Sequence, residues 1–351
     1  MRVRDRDSPV TKEGIIFRVM GYNHPLNACF CDVEYAPETI YVSEEKRALR
    51  EGKCCRYYKF YFDGGLKFIK RNYPQYTIFS EVFGKRLVGL KEGDIAELRR
   101  PDQRLKGLLE SNRDDKLVRS LRSLLDLILE VSSLKLSNFG VFGSLMHYFY
   151  HEDYSDIDLV IYGREELREL LEVLGDFYKG KESELMNEFD TVSPSSFENW
   201  RFKHYSPKEY VKYQRRKLIY AVYKTPYRLI KVEFEPVMKW EEITNEYPIY
   251  ARIRALAFVE AKVRVINDDL SYFMPSTYEV EIIELKGYSG QVDVRRVVSY
   301  VEEFRMQLKE GETGLVRGVL EEVMLKSGEV FHQITLSYIS KNYFEQVLKR
   351  V

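Results

Sequence analysis

Apolar residues recur at three- and four-residue steps through the stretch that follows Pro101. The positions are Leu105, Leu108, Leu109, Leu117, Leu121, Leu124, Leu125 and Ile128. Such spacing brings the apolar side chains onto one face of a helix, so the pattern predicts a long amphipathic helix leading into the middle of the chain. We place a domain boundary at Pro101, where this pattern begins.

The polar and apolar pattern changes on both sides of this central region. Residues 1–100 are predicted to be mainly β, because short β-prone runs alternate with Gly, Pro and Asn. The runs are Ile15–Met20, Tyr57–Phe62 and Arg86–Leu90. Asp63-Gly64-Gly65 predicts a turn after the second run. From Ser137 to about Trp240 the pattern predicts strand, helix, strand, helix, helix, strand.

The last part of the chain, residues 246–351, is predicted to be β-rich again. Its strand candidates are Val263–Ile266, Tyr278–Leu285, Leu315–Leu325 and Val330–Ile339. Two further runs, Val294–Leu308 and Lys341–Lys349, are predicted as helices that cap a small barrel. We therefore expect an α+β protein with a mixed-sheet catalytic domain at residues 101–245 and β-rich domains at 1–100 and 246–351.

Composition supports several folded domains without naming a partner. The 351 residues are 44% hydrophobic and 14% aromatic, enough for real cores. Lys plus Arg equals Asp plus Glu at 55 each, so only local patches can attract a polyanion. A charged fraction of 31% with few Gln is typical of thermophilic proteins. No apolar run approaches the ~18 residues that span a bilayer, and the charged N-terminus lacks a signal-peptide core. We expect a cytoplasmic protein that does not enter membranes.

The four cysteines do not predict a metal centre. They are Cys29, Cys31, Cys54 and Cys55. Zinc ligands are usually spaced as C-x₂₋₄-C, which neither pair matches. Ordinary buried or half-buried thiols are the favoured interpretation, and a disulfide stays open as an alternative.

The chemistry is concentrated between Asn138 and Gly163. An apolar strand runs into Gly143-Ser144, where a helix of mostly apolar residues begins. The free backbone N–H groups of a helix start, with the Ser144 hydroxyl among them, form an anion site. Gly143 lets a phosphate approach the backbone closely.

Two carboxylates follow after a spacer of eleven residues. Asp156 and Asp158 begin a strand that runs to Tyr162. Because side chains alternate along a strand, both carboxylates project to one side while Ile157 packs on the other. Such a pair is costly unless a cation neutralises it, and Mg²⁺ suits carboxylates combined with substrate phosphates.

Gly-Ser, a spacer near a dozen residues and Asp-x-Asp on a strand together resemble the DNA polymerase beta nucleotidyltransferase superfamily. That superfamily includes CCA-adding enzymes, poly(A) polymerases and aminoglycoside nucleotidyltransferases. The resemblance is strong over about residues 137–163 and extends in layout over about 100–240. It implies that Gly143 and Ser144 hold a nucleoside triphosphate. It also implies two Mg²⁺ or Mn²⁺ ions held by Asp156, Asp158 and a third acid, all three acting in catalysis.

The resemblance places the third acid on a later strand of the same sheet. The candidate strand contains Arg228-Leu-Ile-Lys-Val-Glu-Phe-Glu-Pro236. Ile230, Val232 and Phe234 should face inward, with Lys231, Glu233 and Glu235 on the other face. Glu233, mid-strand between apolar neighbours, is the preferred ligand and Glu235 the reserve. Asp would be more usual than Glu at this position.

A basic and aromatic segment, Arg201 to Lys217, is the second candidate for chemistry. The segment contains seven basic residues and one acidic residue. Ser206, Pro207 and Glu209 predict a helix start. Lys208, Lys212 and Arg216 should form a stripe on one helix face, with Tyr205 and Tyr213 available to stack on bases. A solvated helix face, or cations for the triphosphate alone, are the alternatives.

These features predict an enzyme that moves a nucleoside monophosphate from an NTP to an acceptor hydroxyl. The favoured acceptor is RNA, such as a tRNA-like 3′ end, because of the basic segment. Two alternatives remain. One is the same chemistry on a protein or small molecule, and the other is a non-catalytic nucleotide- or nucleic-acid-binding protein on this scaffold.

Overall fold

The computed structural model describes residues 1–52, 55–180, 182–191 and 202–351. Three sheets are present in these ranges, and each falls within one of the three predicted domains. The N-terminal strands are β1 Ser8–Val10, β2 Ile16–Val19, β3 Ala28–Pro37, β4 Leu49–Glu51, β5 Arg56–Lys59, β6 Thr77–Ser80, β7 Lys85–Lys91 and β8 Glu97–Arg99. Their main order is β4-β5-β3-β2-β1-β8, with β7 pairing β3 and β6 pairing β7. Helix α1, Gly64–Asn72, packs against β3.

The central domain contains one mixed five-stranded sheet and most of the helices. Its strands are β9 Phe139–Val141, β10 Ile157–Tyr162, β11 Leu185–Asn187, β12 Tyr220–Lys224 and β13 Leu229–Val237. Its helices are α2 Pro101–Glu110, α3 Lys116–Leu129, α4 Gly143–His147, α5 Arg164–Lys179, α6 Glu188–Thr191 and α7 Pro207–Arg215. The sheet order is β11-β12-β13-β10-β9, in which β10 and β13 are parallel and the other pairs antiparallel.

One face of this central sheet is apolar and lies under helices. The buried leucines of α2, α3 and α5 form a single core with alternate residues of β10 and β13. Ile230, Val232 and Phe234 belong to this core, as the alternation along that strand predicted. The opposite face carries the charged residues of the two strands and is covered partly by the flanking domains.

The C-terminal domain closes into a barrel. Its strands are β14 Tyr250–Asn267, β15 Ser276–Lys286, β16 Val294–Ser299, β17 Thr313–Leu325, β18 Val330–Leu336 and β19 Val347–Arg350. The order β14-β15-β16-β18-β17 returns to β14 because β17 also pairs with β14, and β19 joins β17. Closure removes most free edges and leaves a valine-rich interior. A small barrel was the expected architecture here.

Several predicted elements are wrong in detail. The long helix after Pro101 is two helices, because Ser111 is extended and Asp115 caps α3 by accepting from the N–H groups of Leu117 and Val118. Asp63 lies in a turn, as predicted, but Gly64 and Gly65 already belong to α1.

The two helices predicted in the C-terminal domain are also wrong. Val294–Leu308 contains strand β16, and Lys341–Lys349 overlaps β19. The valines of the first run are spaced at helix-like steps. Their branching at Cβ nevertheless favours a strand, and this strand forms part of the barrel wall. None of the helices in the described ranges has the length and apolar character needed to cross a membrane.

Candidate functional site

Two neighbouring parallel strands carry the carboxylates predicted for the site. Asp158 of β10 is the register partner of Glu233 of β13. Ile157 and Leu159 lie in the apolar core, so strand alternation puts Asp158 and Glu233 on the opposite face of the sheet. Asp156 precedes β10 by one residue, and the same alternation places it on the side of Asp158. Three acids from two distant segments thus meet at one end of the sheet.

Gly143 lies directly against the Asp158 carboxylate. Its φ of 58° is in the left-handed region. A Cβ built at this position would stand 2.3 Å from Asp158 Oδ2. The N–H of Phe142 also donates to the Asp158 carbonyl at 3.1 Å, which fixes the end of β9 beside β10. Only glycine fits this conformation and this contact together.

Ser144 occupies the first turn of α4 and is half-buried. Its carbonyl accepts from the Phe149 N–H at 2.9 Å, which helps to end this five-residue helix. Neither Gly143 nor Ser144 is among the described residues that wall the adjacent cavity. Gly143 therefore contacts the carboxylate site directly, at Asp158, and the Gly-Ser pair does not face this site from the opposite wall of the cavity.

A cavity of about 540 Å³ opens beside these carboxylates. We call it the acidic cleft. Its walls come from the central domain and from the loop after β16: Asp156, Asp158, Glu188, Phe189, Tyr210, Gln214, Tyr220, Lys231, Val232, Glu233, Glu302 and Glu303. Six of these described residues are acids and one is a lysine, so the cleft by itself would repel a polyphosphate.

Burial and mutual repulsion shift Asp156, Asp158 and Glu233 toward their neutral forms. Burial raises the pKa of Asp158 to about 7, and Asp156 adds to the rise. Burial also raises the pKa of Asp156 itself, against the nearby cations of Lys231 and Arg228. The pKa of Glu233 lies well above its ordinary value because of burial and the charge of Glu235. Such groups need a positive partner to be ionised together near neutral pH.

The carboxylates of the cleft suit a hard cation that takes its remaining ligands from a substrate. No three His, Cys, Asp or Glu side chains of the described ranges converge into a ready-made metal cage. Mg²⁺, however, is commonly held by one or two carboxylates together with water and substrate phosphates. Asp158 and Asp156 supply two such carboxylates, and Glu233 supplies a third across the register pair. These residues therefore fit the expected cation.

Glu235, the reserve ligand, has another role. It is fully buried and accepts hydrogen bonds from Arg6 of the first domain and Arg305 of the third. Burial alone would raise the pKa of Glu235, but these two guanidinium groups lower it below the ordinary value. Glu235 is therefore an ionised structural anchor where three domains meet, on the same strand face as the cleft residue Glu233.

The structure corrects the aromatic part of the predicted RNA surface. Tyr205 and Tyr213 are buried against the C-terminal barrel, with 7% and 8% exposure. The Tyr205 hydroxyl donates to the Leu348 carbonyl at 2.6 Å and accepts from the Leu348 N–H at 2.9 Å. The Tyr213 hydroxyl bridges the N–H and carbonyl of Arg350 in the same way. Both tyrosines satisfy the free edge of β19 and cannot stack on bases.

Two of the three predicted basic residues of that surface remain exposed. Lys208 and Lys212 are exposed on α7, whose Ser206–Glu209 capping box forms as predicted. Arg216 instead pairs with Glu312 of the barrel at 2.9 Å. The first residue of the predicted segment, Arg201, lies outside the described residues.

The described cysteines fit the interpretation as ordinary thiols. Cys29 and Cys31 are buried and Cys55 is half-buried, all three free. Cys54 lies outside the described residues.

Several residues of the cleft carry no signal in the sequence. Tyr210 and Gln214 line it from α7, Glu188 from α6, and Glu302 and Glu303 from the loop after β16. A single acid or tyrosine in an amphipathic stretch resembles many others, and only the docking of elements far apart in the chain brings these together.

Fold and cleft together define a class: a three-domain α+β protein whose central mixed sheet presents paired acids to an acidic cleft. Among known proteins, the uncharacterized protein MJ1086 of Methanocaldococcus jannaschii is 30% identical over 358 aligned residues, covering 99% of each chain. The chain belongs to the family of that protein. No protein-family model matches it, and no solved structure matches it.

Proposed function

We propose that the protein is a metal-dependent nucleotidyltransferase that acts in the cytoplasm and moves a nucleoside monophosphate from an NTP to an acceptor hydroxyl. One observation carries the proposal. Gly143 is pressed against Asp158, and Asp158 is register-paired with Glu233 at the rim of a cleft. The three segments predicted from the Gly-Ser, Asp-x-Asp and third-acid pattern are therefore adjacent in space. Short motifs that occur by chance would have no reason to lie together.

Asp156, Asp158 and Glu233 would hold the expected Mg²⁺ or Mn²⁺ ions, two in the mechanism that the resemblance implies. Bound there, the ions would neutralise phosphate charge and lower the pKa of the acceptor hydroxyl. The protein's own contribution is to position groups: the parallel register fixes Asp158 beside Glu233, and Gly143 leaves room for the carboxylate. The acid excess of the cleft makes a cation a condition for triphosphate binding.

We propose RNA as the acceptor. Of the predicted basic and aromatic surface, only Lys208 and Lys212 still support this proposal. Tyr210 and Gln214 of the same helix line the cleft. Each lysine precedes one of these residues by two positions, a rotation of ~200° about the helix axis, so the lysines lie on the face away from the cleft. They are suited to distant phosphates of a long acceptor rather than to the triphosphate.

The test is transfer of label from each α-labelled NTP, with Mg²⁺ or Mn²⁺, to total RNA or to protein. Wild type should label RNA, whereas Asp156→Asn and Asp158→Asn should lower transfer by several orders of magnitude because they remove cation ligands. Asp153→Asn is the matched control, since Asp153 is an exposed acid that pairs with Lys116 outside the cleft.

The outcomes separate the rival functions. Label in protein, or in neither fraction but in a small molecule, would keep the chemistry and reject the RNA acceptor. NTP binding that needs Mg²⁺ without any transfer would support the non-catalytic alternative. Equal turnover in Asp158→Asn and Asp153→Asn would reject the assigned site altogether.

A further inference from the structure

A buried arginine of the C-terminal domain reaches the central sheet next to the acidic cleft. Arg305 lies between β16 and β17, and its side chain is 0% exposed. Its Nη1 donates to Glu235, while its Nη2 stands 3.7 Å from Glu233 Oε1. Within the described part of the chain, this Nη2 has no hydrogen-bond partner. It is a buried donor directed toward the proposed third acid.

The geometry of a guanidinium group connects these two contacts. The group is planar and rigid, so fixing Nη1 on one acceptor also sets the direction of Nη2. Glu233 and Glu235 are two residues apart on the same strand face, which allows one guanidinium to span both. A buried donor without an acceptor is costly, and this cost favours placements of the Glu233 carboxylate close to Nη2.

Arg6 provides a natural comparison because it binds the same carboxylate oxygen of Glu235. It donates to Glu235 and, at 2.9 Å, to Glu302. In the ion pairs of the described residues, Glu233 is reached by Arg305 and not by Arg6. Arg6 has φ of 68°, and Met306, next to Arg305, has φ of 54°. Such backbone conformations are uncommon for these residues and persist where the surroundings hold them.

We propose that Arg305 is a positioning residue that holds the Glu233 carboxylate in place beside Asp158. The proposal rests on the nucleotidyltransferase assignment of the cleft. It gives the C-terminal domain a part in the reaction itself, beyond any part in binding an acceptor. The site is then complete only when the barrel is docked on the central sheet.

Arg305→Lys and Arg6→Lys form a matched pair for the test. Each keeps one positive charge on Glu235 and removes the branched geometry, but only Arg305→Lys removes the branch toward Glu233. For Arg305→Lys we expect kcat and Mn²⁺ affinity, the latter from electron paramagnetic resonance titration, to fall by about 10- to 100-fold, as for other groups that orient a metal ligand. The KM for NTP should stay within about threefold, and Arg6→Lys should retain all three parameters.

A double-mutant cycle then separates positioning from general structural support. In a Glu233→Gln background, Arg305→Lys should cause no further loss of kcat if it acts through Glu233. The same loss in both backgrounds, or an equal loss from Arg6→Lys, would overturn the proposal. Should Arg305→Lys fail to fold, Arg305→Gln combined with Glu235→Gln takes its place, because it removes both members of this buried pair and leaves Arg6 with Glu302 as its counter-ion.

The two proposals fail in different ways. Wild type without transfer activity, combined with a selective loss of Mn²⁺ binding in Arg305→Lys, would reject the nucleotidyltransferase function and retain the positioning role. Normal transfer and normal Mn²⁺ binding in folded Arg305→Lys would reject the positioning role and retain the function.

Discussion

Gly143 links the sequence motif to the site through one contact. The residue is held at φ of 58° with the Asp158 carboxylate where a Cβ would be. Gly143→Ala should therefore displace Asp158 as well as strain the backbone, the latter by about 1–2 kcal/mol. We expect transfer to fall at least ~100-fold, as misplacement of a reacting group by about 1 Å commonly does.

Gly84→Ala is the control for backbone strain alone. Gly84 has φ of 59°, and nothing lies within 4 Å of its would-be Cβ. Thermal unfolding should show a drop in Tm for both variants, larger for Gly143→Ala because of its added clash with Asp158, and only Gly143→Ala should lose activity. Equal activity in the two variants would show that the contact with Asp158 is unimportant.

The two acids of β13 should respond differently to neutral substitution. Glu233→Gln should lower transfer by several orders of magnitude without abolishing it, and should leave Tm unchanged or raised, because it removes a half-buried charge that repels Glu235 and Asp158. Glu235→Gln should lower the free energy of unfolding by about 3–5 kcal/mol, because Arg6 and Arg305 lose their buried counter-ion. Urea denaturation measures the second effect. A stable but inactive Glu235→Gln would transfer the ligand role to Glu235.

At the scale of elements, α7 presents packed and exposed side chains on different faces. The hydroxyl of Tyr213 bonds Arg350 of β19, whereas Lys208 and Lys212 remain exposed. If the lysines hold RNA phosphates, replacing both by Ala should reduce the slope of log affinity against log salt by roughly 1.4–1.8, the release expected for two contacts. The KM for NTP should not change, since this face points away from the cleft.

A second lysine pair controls for total charge. Lys67 and Lys70 are exposed on α1 of the N-terminal domain. Their double Ala variant should leave the salt dependence of RNA binding unchanged. An identical slope change in both double variants would indicate non-specific attraction and remove the proposed role of α7.

At the scale of the whole molecule, the raised carboxylate pKa values predict a pH dependence of stability. The pKa of Asp158 is about 7 in the folded protein, as are those of Asp5, Asp7 and Asp32. A raised folded pKa means that the contribution to stability is present below the unfolded value, near 3.8, and is lost as pH rises through 7. The metal-free protein should therefore lose stability between about pH 4 and about pH 7.

Mg²⁺ should offset the share of this loss that comes from Asp158. A cation that binds only the folded protein stabilises it, so Mg²⁺ should raise the Tm of wild type at pH 8 and have little effect at pH 4. Asp158→Asn should show a weaker pH dependence and no response to Mg²⁺ in the same thermal scans. A response equal to wild type would place the cation elsewhere.

Local pattern was enough to predict some elements of the central domain, those whose signals are short-range. Alternation along β13 placed Val232 in the core and Glu233 on the other face, and Ser206 with Glu209 marked the start of α7. Side-chain periodicity and capping depend on neighbours a few residues away, so they can be read without knowing the fold.

Other features could be decided only by tertiary structure. Val294–Ser299 forms a strand because it pairs with β15 and β18 in the barrel. Tyr205 is buried because its hydroxyl pairs with backbone groups of β19 that have no strand partner. Glu233 and Glu235 have the same local pattern, yet Arg6 and Arg305, distant in sequence, make one a buried anchor and leave the other beside the cleft. The sequence by itself determined which residues can form the site, because that depends on side-chain chemistry and strand period. Which of them reach the cleft was decided by domain docking, because burial and charge pairing depend on contacts between segments far apart in the chain.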